Sequence, residues 1–482
     1  MDQVLQRDST AAAAIEALRE LLGPRGWIEQ HIDQEPYLTE PRGLFPGRAS
    51  LIVRPADRDQ VAAVVRICHN AGLPMIPLGG RTGLVGGGTS QEGHPPVVIS
   101  LERLNRILDI DPAGMTMTVE AGCVLEVIHQ AAAEQGLLFP INLGARGSCM
   151  IGGNISTNAG GIQVLRYGTT REMVLGLEVV LPDGEVWKGL SAVRKDNTGY
   201  DLKQLFIGAE GTLGIVTAAV LRLFPATPET QTALVAVPDV ASAIRLYALA
   251  QRESGGLLSA FELIQRFGIE VSVRHAGGVD PLSDSYPWYV LLEMSAGGSK
   301  GSAELQARME ALLEVALEDG MILDGTIAVS QAQAQALWHL REALSDHQHY
   351  EGESIKHDVA VPISSVAHFV EDAVKAATQV VPGARCLAFG HIGDGNIHFN
   401  LSQPLDMGTD EFLARTKDVY RAVHDVVFSM GGSISAEHGI GQLKRDDLAR
   451  YKTPAGMRLL KAIKQAIDPS NLMNPGKIIS SS

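Results

Sequence analysis

The 482-residue sequence lacks a long apolar run, a C-x-x-C cysteine pair and a block of basic residues, and each absence excludes a class of protein. A bilayer-spanning helix needs roughly 18 or more consecutive apolar residues, and the acidic N-terminus is unlike a signal peptide. A net charge of −15 without a basic block argues against a nucleic-acid partner. The four scattered cysteines predict reduced, packed thiols in a cytoplasmic protein rather than a disulfide framework; they are Cys68, Cys123, Cys149 and Cys386.

The length and the hydrophobic pattern predict a protein of helices and sheets with two or three domains. From Leu51 onward there is an extended run, then a helix capped by Asp57 and ended by Gly72, then a second extended run at 74–78. The chain leaves this block near residues 221–228. A second block begins at 232, and its strands and helices predict a β-sheet covered by helices on one face.

Glycine is the compositional outlier, with 51 residues, close to 11% of the chain, against a typical value of about 7%. Two glycine-rich loops lie at 77–88 and 147–161. The first follows a strand but does not spell G-x-G-x-x-G, and the residues after it cannot form a crossover helix, which argues against a Rossmann fold. Free N–H groups in such loops suit a pyrophosphate, so we expect a bound dinucleotide. The alternative is two mobile surface turns.

Two histidines and a glutamate predict a metal site in the second block. Asp394-Gly395 favours a two-residue type I′ turn between strands at 385–389 and 397–401, which would pair His391 with His398. Their Cβ atoms would then lie roughly 4.5–5.5 Å apart. Glu437 offers a third ligand, and two His plus one Glu leave an open position for water or substrate. The alternative is a cross-strand histidine pair satisfied by backbone carbonyls.

Several motifs resemble those of a known flavoprotein family. They are Pro77-Leu78-Gly79-Gly80-Arg81-Thr82-Gly83, the stretch from Ile151-Gly152-Gly153-Asn154 to Asn158-Ala159-Gly160-Gly161, and Gly211-Thr212-Leu213-Gly214-Ile215-Val216-Thr217. Together they resemble the FAD domain of the vanillyl-alcohol oxidase/p-cresol methylhydroxylase flavoproteins. The second half resembles the FAD-linked oxidases that act on D-2-hydroxy acids, and Asn474-Pro475-Gly476-Lys477 resembles their C-terminal signature. The resemblance covers nearly all of the chain from about residue 45.

The resemblance implies an α+β fold in four parts. A helical segment (1–44) precedes a two-subdomain FAD-binding domain of the p-cresol methylhydroxylase type (45–226). An α+β substrate- and metal-binding domain with an antiparallel sheet follows (227–440). A small helical C-terminal segment (441–482) is expected to pack back toward the FAD domain.

The resemblance also implies how the flavin binds. Some relatives tether it through a histidine in the first glycine loop, where this chain has Arg81 and Thr82, so we expect non-covalent FAD. The expected FAD-binding residues are Pro77, Gly79, Gly80, Arg81, Thr82, Gly83, Leu84, Ser148, Gly152, Gly153, Ser156, Thr157, Asn158, Gly160, Gly161, Ile215 and Asn474.

A substrate clamp is implied by Arg341, Ser345 and Lys356. On a helix, Arg341 and Ser345 are four residues apart and share one face. With Lys356, they resemble the clamp with which D-2-hydroxyglutarate dehydrogenases hold the distal carboxylate of their substrate. That family usually has Thr at the position of Ser345. The local pattern alone also fits a surface helix with a solvated arginine.

The mechanism implied by the resemblance is metal-assisted hydride transfer. Zinc or another divalent metal bound by the two histidines and Glu437 would lower the pKa of the substrate hydroxyl. His438 would accept the hydroxyl proton as general base, and Asn400 would bind the C1 carboxylate. The C2 hydride would pass to flavin N5.

Other interpretations stay open at this stage. D-Malate or a lactate- or glycolate-type substrate could replace D-2-hydroxyglutarate. A metal-dependent hydrolase and a non-catalytic subunit of a larger complex are alternatives of other classes. Oxygen, a quinone and an electron-transfer flavoprotein are all candidate electron acceptors, with a soluble carrier favoured, and a homodimer is one open oligomeric state.

Overall fold

The computed structural model describes residues 2–90, 93–297 and 301–480, and the chain divides into two compact units. Unit 1 consists of Met1–Gly161, Gly168–Pro225 and Glu437–Ser482, and unit 2 of Ile162–Tyr167 and Ala226–Ala436. Within the described ranges, no helix is long and apolar enough to cross a membrane.

The helices fall in both units. Those of the first 240 residues are α1 (Asp2–Leu22), α2 (His31–Leu38), α3 (Arg58–Ala71), α4 (Leu125–Glu134), α5 (Ile151–Thr157), α6 (Val164–Tyr167), α7 (Thr170–Met173) and α8 (Lys203–Phe206). Those that follow are α9 (Val240–Glu253), α10 (Arg266–His275), α11 (Gly301–Glu318), α12 (Gln331–His347), α13 (Val366–Val380), α14 (Thr409–Ala414), α15 (Thr416–Ser429), α16 (Arg445–Tyr451) and α17 (Pro454–Ile467).

The strands of unit 1 form a four-stranded sheet, a five-stranded sheet and a short two-stranded pair. In chain order they are β1 (Trp27–Ile28), β2 (Leu51–Val53), β3 (Met75–Leu78), β4 (Val97–Ser100), β5 (Ile107–Asp111), β6 (Thr116–Glu120), β7 (Leu137–Leu138), β8 (Val174–Val180), β9 (Val186–Gly189), β10 (Ile215–Arg222) and β11 (Phe224–Pro225). The first sheet has the order β1-β2-β4-β3, with β2, β4 and β3 parallel. The second has the antiparallel order β5-β6-β10-β8-β9. The four-stranded and the five-stranded sheet of unit 1 match the predicted two-subdomain architecture.

The local signals around α3 show why the predicted elements form. The Asp57 side chain accepts the N–H of Gln60 at 2.9 Å and so caps the helix. Gln60 Oε1 accepts the N–H of Ala56, the residue before the cap, at 2.8 Å, rather than the N–H of Asp57 as in a full capping box. Gly72 ends the helix with φ +64°, a conformation that glycine adopts without strain. The apolar stripe that includes Val61 and Cys68 is buried, as its spacing predicts.

Unit 2 is built on a seven-stranded antiparallel sheet with the order β15-β12-β14-β13-β17-β18-β16. Its strands are β12 (Glu229–Val237), β13 (Leu258–Gln265), β14 (Trp288–Ala296), β15 (Asp324–Ile327), β16 (Ser354–Ala360), β17 (Arg385–Gly390) and β18 (Asn396–Ser402). The antiparallel sheet of the second domain is thereby confirmed.

The prediction that helices cover one face of this sheet is wrong, because helices pack on both faces. On one face, Leu340 of α12 belongs to the same core as Ile264 and Phe389. On the other face, Phe369 of α13 contacts Phe399 with ring centroids 6.0 Å apart. Strand β13 is buried from Leu258 to Ile264 without alternation, and a strand that is apolar on both sides needs cover on both sides.

Candidate active site

A cavity of about 340 Å³ in unit 1 is lined by the backbone of both glycine-rich loops. This volume lies within the range of small-molecule sites, roughly 300–1,000 Å³. Gly79 and Gly83 contribute from the first loop, and Gly152 and Gly153 from the second. A Cβ atom built on Gly83 or Gly153 would meet no atom of the described chain within 4 Å, so both backbones border open space.

The two loops approach each other so closely that side chains are excluded between them. A Cβ atom on Gly80 would lie 2.1 Å from the Ser148 carbonyl oxygen and 2.8 Å from Cys149 Cα. Within the stretch interpreted as a second loop, residues Ile151–Thr157 form helix α5. The glycines there serve close packing of a helix as well as access to the cavity.

The cavity fits a bound cofactor with hydrogen-bonding groups. Asn474 lines it, and its side-chain N–H₂ donates to the carbonyls of Gly87 and Glu210 at 3.0 and 2.7 Å. Its Oδ1 is buried and has no hydrogen-bond donor among the described residues. A buried amide oxygen of this kind accepts a hydrogen bond from a ligand N–H or O–H group.

Most of the residues expected to bind FAD line this cavity, and three do not. The lining residues of that set are Pro77, Gly79, Gly80, Arg81, Thr82, Gly83, Leu84, Gly152, Gly153, Ser156, Thr157, Gly160, Ile215 and Asn474. The three others make hydrogen bonds with residues of unit 1. Ser148 Oγ donates to the Ala145 carbonyl, Asn158 Oδ1 accepts the N–H of Arg171, and Gly161 N–H donates to Glu437 Oε1 at 2.8 Å.

Glu437 and His438 also line the cavity, and a residue missed in the sequence, Glu210, holds the turn that follows them. The Glu210 carboxylate accepts the N–H groups of Ile440 and Gly441, both at 2.7 Å. Burial raises the pKa of Glu210, and these two donors oppose that effect. Its φ of +51° is uncommon for a residue with a side chain, and such strain is frequent at functional sites.

In unit 2, the predicted pairing of His391 with His398 is wrong by two residues. Strand β17 pairs Phe389 with His398, and of the two expected turn residues only Gly395 has a positive φ, +83°. The connection is therefore not a type I′ turn, which needs positive φ at both central residues. Because a shift of two residues keeps the same face, the rings of His391 and His398 still approach, with centroids 5.8 Å apart.

The pairing of β13 with β17 places His391 next to a residue of β13. β13 pairs Leu263 with Gly390, the last residue of β17, which brings the neighbouring residues Glu262 and His391 side by side. Glu262 Oε1 accepts from His391 Nδ1 at 2.6 Å. Sequence reasoning missed Glu262, although a glutamate inside the apolar run 258–264 signals a buried carboxylate that needs partners.

Arg341 is buried against the same carboxylate. Its Nε donates to Glu262 Oε2 at 2.8 Å, and its guanidinium lies 4.8 Å from the ring centroid of Phe389. The two Nη groups make no hydrogen bond with the part of the chain that the structure describes. Burial acting alone would raise the pKa of Glu262, but His391 and Arg341 outweigh it and lower the pKa to about 2, so the carboxylate is ionised. The interpretation of Arg341 as a solvated surface residue is therefore wrong, since it is 6% exposed.

Of the other expected substrate residues, Ser345, Lys356 and Asn400 also belong to unit 2, whereas His438 belongs to unit 1. Lys356 on β16 pairs with Asn400 on β18, and Asn400 shares the face of His398 because the two residues are two positions apart. The Asn400 side-chain N–H₂ donates to Gln348 Oε1 at 2.7 Å. Ser345 lies one turn beyond Arg341 on α12 and is exposed.

The segment 433–436, which precedes Glu437 in the chain, is hydrogen-bonded to strand β16 of unit 2. Ser433 forms an isolated bridge with Ala360, and the Ala436 N–H donates to the Asp358 carbonyl at 3.3 Å. Asp358 is the cross-strand partner of His398. Glu437 is the next residue after Ala436.

Comparisons with known families and proteins agree with this architecture. The family described as FAD linked oxidases, C-terminal domain, matches residues 227–478, and the FAD binding domain family matches residues 49–189. A D-2-hydroxyglutarate dehydrogenase of Xanthomonas citri pv. viticola is 40% identical over 89% of this chain and 88% of its own. One of Stutzerimonas stutzeri is 36% identical over 98% of this chain and all of its own.

Solved structures share the fold at low identity. p-Cresol methylhydroxylase with substrate bound has a TM-score of 0.77 at 17% identity and covers 98% of this chain and 97% of its own. The 4-ethylphenol oxidase of Gulosibacter chungangensis has a TM-score of 0.73 at 19% identity, with 98% of both chains covered. The predicted flavoprotein fold is confirmed, and the chain belongs to the FAD-linked oxidases.

Proposed function

We propose that this chain is an FAD-dependent dehydrogenase that oxidises a D-2-hydroxy dicarboxylic acid, with D-2-hydroxyglutarate as substrate and 2-oxoglutarate as product. The names of its relatives point to this substrate. The observation that carries the proposal is the buried Arg341, whose Nε is fixed by Glu262 while both Nη groups stay available. A guanidinium edge held in this way suits a bidentate pair with a carboxylate.

The substrate would be held at both ends by residues of unit 2. Arg341 would bind the distal carboxylate, with Lys356 and the hydroxyl of Ser345 as further donors. Asn400, on the His398 face of β18, would bind the C1 carboxylate. A monocarboxylic acid such as D-lactate has no group for the distal donors, so they would favour a dicarboxylate.

We further propose that His391, His398 and Glu437 bind a divalent metal such as zinc. Each side chain offers one ligand atom, two imidazole nitrogens and one carboxylate oxygen. This donor set is typical of catalytic zinc sites that keep an open position. The Nδ1 of His391 is hydrogen-bonded to Glu262, so His391 would bind the metal through Nε2.

In this scheme FAD, held non-covalently, supplies the hydride acceptor and the metal supplies a Lewis acid for the substrate hydroxyl. His438 accepts the hydroxyl proton as the C2–O bond becomes a carbonyl and the C2 hydrogen leaves with its electron pair. His438 is followed by Gly439, with φ +81°, and by Ile440 and Gly441, whose N–H groups donate to Glu210; these contacts would fix the backbone next to His438. Arg341, Lys356 and Asn400 keep the substrate oriented during the transfer.

Chelation of the holoenzyme tests the metal requirement. We expect a chelator to abolish turnover of D-2-hydroxyglutarate with an artificial dye acceptor, since the substrate hydroxyl would no longer be polarised. The flavin absorbance should be retained, because Glu437 is the only one of the three proposed ligands among the described residues that line the glycine-loop cavity. Added zinc should restore turnover. Full turnover by protein shown to be metal-free would contradict this part of the proposal.

A further inference from the structure

The Glu262 carboxylate is buried in the middle of an apolar strand, where an unpaired charge is costly. It is 1% exposed, and its neighbours on β13 are Phe261 and Leu263. A buried carboxylate is retained only when its oxygens have strong partners. Both oxygens have one, and the two partners belong to different parts of the proposed site.

We propose that Glu262 is a positioning residue that holds the substrate-binding arginine and a metal-binding histidine in fixed orientation through one carboxylate. Oε2 accepts from Arg341 Nε and Oε1 accepts from His391 Nδ1, at 2.8 and 2.6 Å. This inference rests on the function proposed above and goes beyond it, because Glu262 contacts neither substrate nor metal in that scheme.

The contact with His391 selects the tautomer that can bind a metal. An Nδ1–H that donates to a carboxylate leaves the lone pair on Nε2, which is the state a metal ligand needs. His391 lies just after β17, and its carbonyl accepts the N–H of Asp394 within the turn at 3.1 Å. That contact holds the backbone, whereas the hydrogen bond with Glu262 acts on the imidazole ring itself.

The contact with Arg341 prepares the guanidinium for a second carboxylate. The ring of Phe389 and the Nε hydrogen bond fix its plane, and Glu262 neutralises its charge within the core. The side chain therefore needs little further ordering when a substrate binds at its Nη groups. Such preorganisation is a known route to higher affinity.

Glu262→Gln is the test, because glutamine keeps the size of the side chain but has only one acceptor oxygen. Its N–H₂ group must face one of two donors, Arg341 Nε or His391 Nδ1. We expect the variant to bind zinc about 10- to 100-fold more weakly, as measured by competition with a chromophoric chelator on the FAD-loaded protein. Its KM for D-2-hydroxyglutarate should rise more than its KM for D-lactate.

Glu293→Gln is the matched control. Glu293 lies on the neighbouring strand β14 and accepts from Trp338 Nε1 of the same helix α12 at 2.8 Å. The substitution should weaken this hydrogen bond and disturb the packing of α12 without changing the zinc affinity. Equal zinc affinity and equal KM in wild type and Glu262→Gln would overturn the inference. An equal loss of zinc affinity in Glu262→Gln and Glu293→Gln would also overturn it. Wild type that binds no zinc and turns over no 2-hydroxy acid would refute the proposed function, and the inference with it.

The tautomer can also be measured in the wild type, which does not require the variant to fold. In protein labelled with ¹⁵N-histidine, the His391 resonances should show a protonated Nδ1 and an unprotonated Nε2 that shifts when zinc is added. The opposite tautomer would overturn the inference.

Discussion

At the scale of single residues, two buried glutamates hold the groups that we propose to do the chemistry. Glu262 binds Arg341 and His391 in unit 2, and Glu210 binds the turn after His438 in unit 1. Neither was predicted, because one sequence does not show which distant donors meet a carboxylate. The only local signal was an acidic residue in an apolar or glycine-rich run.

Arg341→Ala tests the substrate assignment. A charge-assisted contact to the distal carboxylate is worth about 1.5–3 kcal/mol. Since about 1.4 kcal/mol corresponds to a factor of ten, kcat/KM for D-2-hydroxyglutarate should fall at least about tenfold further than kcat/KM for D-lactate. Leaving Glu262 without its arginine partner should lower kcat/KM equally for both substrates. The ratio of the two kcat/KM values therefore reports the contact between Arg341 and the distal carboxylate. Equal losses would assign Arg341 to the fold alone.

His438→Ala tests the proposed general base. Turnover should fall by roughly 10² to 10⁴, the usual contribution of a positioned acid–base group, while FAD and metal content stay unchanged. The absorbance of the purified variant measures its FAD content, and metal analysis measures its metal content. His31→Ala, which alters an exposed histidine of unit 1, is the control and should be as active as wild type. Loss of the metal from the His438→Ala protein would instead identify His438 as a ligand.

At the scale of elements, the signals that delimit α3 were read correctly, whereas the turn signal at Asp394-Gly395 was not. The cap at Asp57 and the glycine at 72 delimit α3 through contacts within a few residues, so the sequence suffices. The position of His391 beside Glu262 depends on how β13 and β17 pair, and these strands are more than 100 residues apart in the chain. The Asp394-Gly395 dipeptide favoured the shorter loop, and tertiary pairing overrode it.

Gly80→Ala tests the account of the glycine loops. The new Cβ atom would lie 2.1 Å from the Ser148 carbonyl oxygen, so one of the two loops must move. We expect the purified variant to carry much less FAD per chain than wild type, as measured by the ratio of flavin to protein absorbance. Gly147→Ala is the matched control, since a Cβ atom there would meet no other described residue within 4 Å. Full FAD content in the Gly80→Ala protein would show that the loop contact is not needed for cofactor binding.

At the scale of the whole molecule, the motifs identified the family, whereas the division of the chain needed the structure. The short helix α6 lies between two segments of unit 1 in the sequence, but belongs to unit 2. Arg166 of α6 donates to the Ser295 carbonyl oxygen and Oγ, both at 2.7 Å, and Leu165 packs near Gly393. A four-residue helix has too short a pattern to show these partners in the sequence.

The central claim is that this chain transfers the C2 hydride of a D-2-hydroxy dicarboxylic acid to its own flavin. Anaerobic mixing of the holoenzyme with single 2-hydroxy acids, followed by flavin absorbance, measures that step without any electron acceptor. The account predicts rapid bleaching by D-2-hydroxyglutarate, and far slower bleaching by L-2-hydroxyglutarate and by D-lactate. A flavin that stays oxidised with every acid, or that D-lactate reduces as fast as D-2-hydroxyglutarate, would contradict it.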